Sequence, residues 1–255
     1  MTAESGQDIG EAKIYAILGH YLLDRDQNWR RPSDQGPGDW MPAYEGELVP
    51  WKNAYQLCRG AKQLLEHLGP EIYEAEVDGE VIEGKDEIHA HRVRLLAKTA
   101  WDERSARLFA IECAERVLPI FEKVNPQDDR PRRGLEAARA YVGGKIDRAA
   151  LETASEGVVA AVLDARMENE DLLWGSTFEE RQLDTEAGSP ISVAYWAVGA
   201  ASRAVDWGKL TPRWTTADSA GGAASSAVTV FVIVHDFAAA ESERKWQARR
   251  LLECL

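Results

Sequence analysis

The run Asp128-Asp129-Arg130-Pro131-Arg132-Arg133 sets two carboxylates beside three guanidiniums, just ahead of an alanine-rich segment. Paired carboxylates next to arginines can bind a phosphate or move protons, which makes Asp128, Asp129, Arg130 and Arg132 candidate site residues. The same residues suit a helix entry. An aspartate caps the first turn, Pro131 fits it, and the arginines reach carboxylates on neighbouring elements. Adjacency along the chain supplies no convergent geometry, so the helix-entry reading is favoured and no catalytic residue is assigned.

Other groups invite the same question. His89 and His91 stand two apart on a predicted strand and so share a face, where Asp86 or Glu87 could add a third metal ligand. No further His or Cys at a matching distance completes that set, and neither a metal nor a cofactor is expected. His20, His67 and His235 are isolated and read as structural.

Between Glu71 and Glu87 there are eight acidic residues and one lysine. They form the exposed face of a hairpin, or an electronegative surface carrying Glu74, Glu76 and Glu80. Such a surface would dock a basic partner or imitate the charge of nucleic acid. Trp40, Tyr44, Tyr55 and Gln56 are candidates for a small-molecule or nucleotide pocket, although packing is the commoner use of such aromatics. No Ser-His-Asp arrangement, glycine-rich phosphate loop, zinc spacing or dinucleotide fingerprint occurs.

The elements that must position these groups divide the chain in two. Residues 1–98 carry five prolines and many glycines between short apolar runs, the pattern of strands joined by turns. Strands are predicted in KIYAILGHYLLD, ELVPW, AYQLC, EIYEAEVDGEVIEG and EIHAHRVRLLAK, with Asp78-Gly79 as a hairpin turn. A short helix is predicted around Ala61–Leu68, stopped by Gly69-Pro70.

From residue 101 to 255 the apolar period becomes helical. Ala110, Cys113, Ala114, Val117, Phe121 and Val124 form one stripe, with Pro119 predicted to kink the helix. A second helix follows Asp128-Asp129 and ends at Gly143-Gly144, and a third starts at Asp147. Ser189-Pro190 opens another, and SERKWQARRLLECL closes the chain. The β-branched run AVTVFVIVHDF suits a buried strand or a helix, and its alanine-rich surroundings decide for helix. Trp101, Trp196 and Trp246 are expected in the helical core. The fold class is thus α+β, a small antiparallel-sheet domain (1–98) followed by an all-helical domain (101–255).

Composition bounds the function. A chain of 255 residues with 45% hydrophobic content can bury cores of ordinary domain size. Its net charge of −13 repels phosphate backbones, so direct nucleic-acid binding is not expected. Three cysteines without metal spacing suit a reducing compartment. No signal peptide or membrane span is read, so a cytoplasmic location is expected.

The run DDRPRRGLEAARAYVGGKID, with RLFAIECAERVLPIFEKV before it and SERKWQARRLLECL at the end, resembles the all-helical immunity proteins found near bacterial toxin and mobile-element genes. The resemblance covers residues 101–255 and is strongest from Arg107 to Ile146; Asp-Asp-Arg-Pro-Arg is its most specific motif. The N-terminal part resembles an uncharacterised family of actinobacterial and phage genomes through GDWMP, WKNAYQLC and EGKDEI. Trp51 stands where that family has a cysteine, Ala54 replaces a glycine and Gln56 replaces a histidine. Its strand arrangement is also similar to small ADP-ribosyltransferase-like folds.

The resemblances imply a non-enzymatic binding protein of bacterial or phage conflict, an immunity or counter-defence factor that blocks a protein toxin or effector. The alternative is a small-molecule or nucleotide binder, or a degraded ADP-ribosyltransferase-like enzyme, with its pocket in the N-terminal domain. Homo-oligomerisation through the helical half is a third expectation.

Overall fold

The computed structural model describes residues 13–19, 28–175, 190–205, 215–233 and 235–255. Predicted features at His20, at Ser189, in the rest of KIYAILGHYLLD and at the side chain of Trp196 lie outside the described residues. The chain forms two compact units, one of residues 1–67 and 71–99, the other of 68–70 and 100–255.

In the first unit, four strands close into an antiparallel barrel in the order β1-β2-β4-β3. They are β1 (Ile14–Leu18), β2 (Tyr55–Arg59), β3 (Glu71–Glu83) and β4 (Ile88–Lys98). Alternation of side chains sends Leu18, Tyr55, Leu57, Tyr73, Val93 and Leu95 to one core. The short helix α1 (Gly60–Leu64) follows β2 directly and packs on β1 and β2. It ends before Gly69-Pro70, because the chain turns at Leu65–His67.

Two strand expectations are corrected. ELVPW is not a strand: the Asn53 side chain accepts the Val49 N–H and donates to the Glu47 carbonyl, closing a tight loop in which Trp51 takes a φ of 66°. Asp78-Gly79 is not the hairpin turn either. β3 runs straight through it, and Gly79, at φ 85°, forms a bulge where the pairing shifts from Asp78↔Arg92 to Val81↔Ala90. The reversal comes at Gly84–Glu87, where the Gly84 N–H donates to the Glu87 carbonyl at 2.8 Å. β4 extends past β2, and its exposed edge is taken by residues 38–44. The N–H groups of Gly38, Met41 and Tyr44 donate to the carbonyls of Leu95, Val93 and His91.

The regular elements among the described residues of the second unit are all helices: α2 (Glu103–Val124), α3 (Arg130–Val142), α4 (Arg148–Gly175), α5 (Pro190–Val205), α6 (Thr216–Val232) and α7 (Phe237–Cys254). α2 is central, packing against α3, α5, α6 and α7. Its broad apolar face buries Phe109, Ile111, Val117 and Phe121 almost completely, each contributing on the order of 1.5–3 kcal/mol. Asp102 caps it by accepting the Ser105 N–H at 2.7 Å, and the helix continues through Pro119 to Val124. Trp101, just before the cap, is buried and donates its indole N–H to the Gly69 carbonyl at 2.9 Å.

α6 resolves the ambiguous run. A capping box between Thr215 and Asp218 starts the helix. The buried small residues Ala217, Ala220, Ala223, Ala224 and Ala227 then let neighbouring helices approach closely. The helix ends at Ile233, His235 takes a φ of 56°, and Asp236 caps α7 through the Ala239 N–H. Among the described residues no helix is long and apolar enough to cross a membrane.

Candidate functional site

The Asp-Asp-Arg-Pro-Arg run occupies the tight turn from α2 into α3. The Asp128 N–H donates to the Asn125 carbonyl at 3.1 Å, closing the turn. Oδ1 of Asp128 then accepts the Arg130 N–H at 3.1 Å, while Asp129, in the N-cap position, makes no side-chain cap bond. Asp128 therefore satisfies the helix entry, and Pro131 stands in its first turn as the sequence suggested.

The arginines reach two neighbouring helices, α2 and α4, and the turn itself. Arg130 grips Asp128 with Nε at 2.8 Å and Nη2 at 2.7 Å, and its Nη2 also reaches Oδ2 of Asp164 on α4 at 2.7 Å. Arg132 makes a two-pronged bond, 2.6 Å on each side, to Glu122 of α2. Arg133 pairs with Asp129 at 3.1 Å, and Arg139 clamps Glu115 of α2. A planar guanidinium fork matches a carboxylate in this way, and its position fixes how the helices meet.

These bonds also set the protonation states. The Arg130 hydrogen bonds hold the Asp128 carboxyl below its usual range, and Asp128 in turn pushes the Arg130 guanidinium upward. General acid or base work needs a group that titrates near the working pH, and these bonds move Asp128 and Arg130 away from it. A phosphate would have to displace carboxylates already bound. What the arrangement offers is a shaped, charged surface.

Asp128, Arg130 and Asp164 line a cleft of about 460 Å³ together with Phe121, Asn125, Ala161, Ala165 and Met167. Sequence reasoning missed Asp164 and Met167. The signal was present: Asp164 falls in sequence between Ala161 and Ala165 of the α4 apolar stripe, so its carboxylate flanks that buried face.

The N-terminal candidates do not form one pocket. Tyr44 and Tyr55 come together, with ring centroids 4.9 Å apart, and the Tyr55 hydroxyl donates to the Pro42 carbonyl at 2.7 Å. Burial pushes the Tyr55 phenol up to about 12. Gln56 is the next residue on the same strand and points to the opposite face, beside its cross-strand neighbour His89. Trp40 is engaged elsewhere, with the guanidiniums of Arg92 and Arg94 each 4.9 Å from its ring.

His89 and His91 share a face of β4 but not a ligand. His89 is buried with Nε2 3.4 Å from Glu87, which also lies 3.4 Å from His67; Nε2 of His91 bonds the Gly46 carbonyl at 2.8 Å. Among the described residues no group of three or more His, Cys, Asp and Glu is placed to hold a metal.

The acidic hairpin is a lattice of ion pairs. Glu74 pairs with Lys13, Glu76 with Arg94 at 2.5 Å, Asp78 with Arg92 at 3.5 Å and Glu83 with Arg59 at 2.7 Å. Glu71 holds both Arg31 and Lys98. Glu80, on the bulge, is exposed. The cations come from β2, β4 and residues distant in sequence, so the run's negative charge is largely offset on the surface it forms.

Compared with curated proteins and with solved structures, the chain finds no match. Residues 99–170, which span α2, α3, most of α4 and every residue of the Asp128–Arg130–Asp164 cleft, match the model of the family described as "Imm-5 like putative immunity protein".

Proposed function

We propose that this is a non-enzymatic binding protein of bacterial or phage conflict, an immunity or counter-defence factor that neutralises a protein toxin or effector by occupying it. The family match over residues 99–170 carries this reading. The geometry agrees with it, because the family-like segment presents ion pairs and a cleft with an apolar floor, and the Asp128 carboxyl there is held below its usual range. Neutralisation by occupancy asks only for a stable, complementary surface.

Co-expression with the toxins encoded beside its gene is expected to restore growth with at least one of them. Native mass spectrometry of the purified pair should then show a stoichiometric complex. Growth restored without any complex, or no restoration by any neighbouring toxin, would remove the reading.

A second reading is favoured by one observation in the N-terminal unit. Gln56 Oε1 and His89 Nδ1, both buried, have no hydrogen-bond partner among the described residues, and the ring of Trp51 lies edge-on to His89 with centroids 5.7 Å apart. Buried polar atoms without partners call for a water or a ligand. On this reading the unit is a small-molecule binder descended from an ADP-ribosyltransferase-like enzyme, and Gln56 stands where its relatives keep a histidine. Gln56→His should raise affinity for adenine nucleotides in calorimetric titration. An unchanged titration would sink it.

A further inference from the structure

We infer that the cleft between α3 and α4 is the anchor point for the partner, and that its occupant is a long basic side chain, lysine or arginine, on that protein. The inference rests on the binding-protein reading and adds where contact is made and with what chemistry.

Charge is the first argument. Among the described residues that line the cleft, two carboxylates, Asp128 and Asp164, face one guanidinium, Arg130, an excess of one negative charge in that lining. Asp128 is committed on both oxygens. Asp164 is not: only its Oδ2 bonds Arg130, and its side chain is 60% exposed. A cation entering the cleft therefore meets an accessible carboxylate oxygen.

Shape and polarity give the second argument. The floor is apolar and closed by Phe121, Ala161 and Ala165, all buried. The rim carries Met167 of α4, a large apolar side chain that is 64% exposed. A lysine or arginine has an apolar stem and a charged tip, and this cleft offers a surface to each. Methionine adapts to such a stem because it is unbranched and polarizable. An acidic or phosphorylated occupant would meet the net charge of the cleft with the wrong sign.

Met167 also supplies the readout. With methyl-labelled methionine, Met167 reports on the cleft and the buried Met41 of the barrel serves as the control. The probes are the blocked dipeptides acetyl-Leu-Lys-amide and acetyl-Leu-Arg-amide, with acetyl-Leu-Gln-amide as the neutral comparison. The basic dipeptides should shift the Met167 methyl resonance saturably and leave Met41 in place. Asp164→Asn should weaken that response about threefold, the scale of an exposed ion pair, and raised salt should weaken it further. An unmoved Met167, or equal shifts with the glutamine dipeptide, would overturn the inference.

Asp164→Lys separates this claim from the broader one. Loss of toxin neutralisation by that variant, with the helical circular-dichroism signal and its urea midpoint unchanged, supports the cleft as the contact. Full neutralisation by the same variant overturns the cleft while the binding-protein reading stands.

Discussion

At the scale of single residues, two buried charged or titratable groups carry clear consequences. Burial pushes the His89 pKa down against the upward pull of Glu87. Folded His89 therefore resists protonation, whereas in the unfolded chain it takes a proton below about pH 6.5. This contribution to stability is complete above that value and is lost as the pH falls from it toward the depressed folded value. Urea midpoints measured at several pH values should decline across this window, and His89→Gln should flatten that part of the decline. An equal slope in the variant would show that other groups carry it.

Glu243 is the second case, with its side chain 2% exposed. It is neutralised by Nε of Arg116 at 2.7 Å and accepts Nε2 of Gln247 at 3.2 Å, and Gln247 goes on to the Ala224 carbonyl. Arg116 in turn lies 4.2 Å from the Trp246 ring centroid. Removing the arginine strands a buried charge, so Arg116→Met should cost about 3 kcal/mol in chemical denaturation. Arg116→Met combined with Glu243→Gln should recover part of that, because the stranded charge is gone.

At the scale of elements, the helices of the second unit are spaced by small residues. Gly134 on α3 faces Val158 on α4: a Cβ there would lie 2.1 Å from a Val158 methyl and 3.6 Å from a Val205 methyl on α5. Gly134→Ala should therefore destabilise by about 2 kcal/mol through overpacking. Val158→Ala in the same chain should relieve the clash, so the double variant loses less than the sum of the two singles. Strict additivity would mean that α3 and α4 shift apart freely.

At the scale of the whole molecule, each unit has its own core: the barrel interior in the first and the buried face of α2 in the second. We expect unfolding in urea to resolve into two transitions, one followed by Met41 and the other by Met167. Coincident midpoints for the two reporters would show one cooperative unit. The net charge of −13 should make partner association fast at low salt and slower as salt rises.

The sequence by itself determined the α+β class, because hydrophobic period is a local property. Alternation at Ile88 and Ala90 and again at Val93 and Leu95, and the helical stripe from Ala110 to Phe121, leave few alternatives to strand and helix. It also determined the helix entry at Asp128 and Pro131, since capping uses neighbouring residues. Backbone conformations set by one glycine were harder to read: Asp78-Gly79 carries the composition of a hairpin turn, yet the partner strand made it a bulge.

What only the tertiary structure decided is which charges meet. Glu76 finds Arg94, Arg130 finds Asp164, and Arg59 finds Glu83 across separations that no local pattern encodes. Those pairings turned an apparently acidic hairpin into a mixed surface and a charged sequence motif into one wall of a cleft. The reason is geometric: an ion pair acts over a few ångströms in space, and the fold alone brings distant residues within that reach.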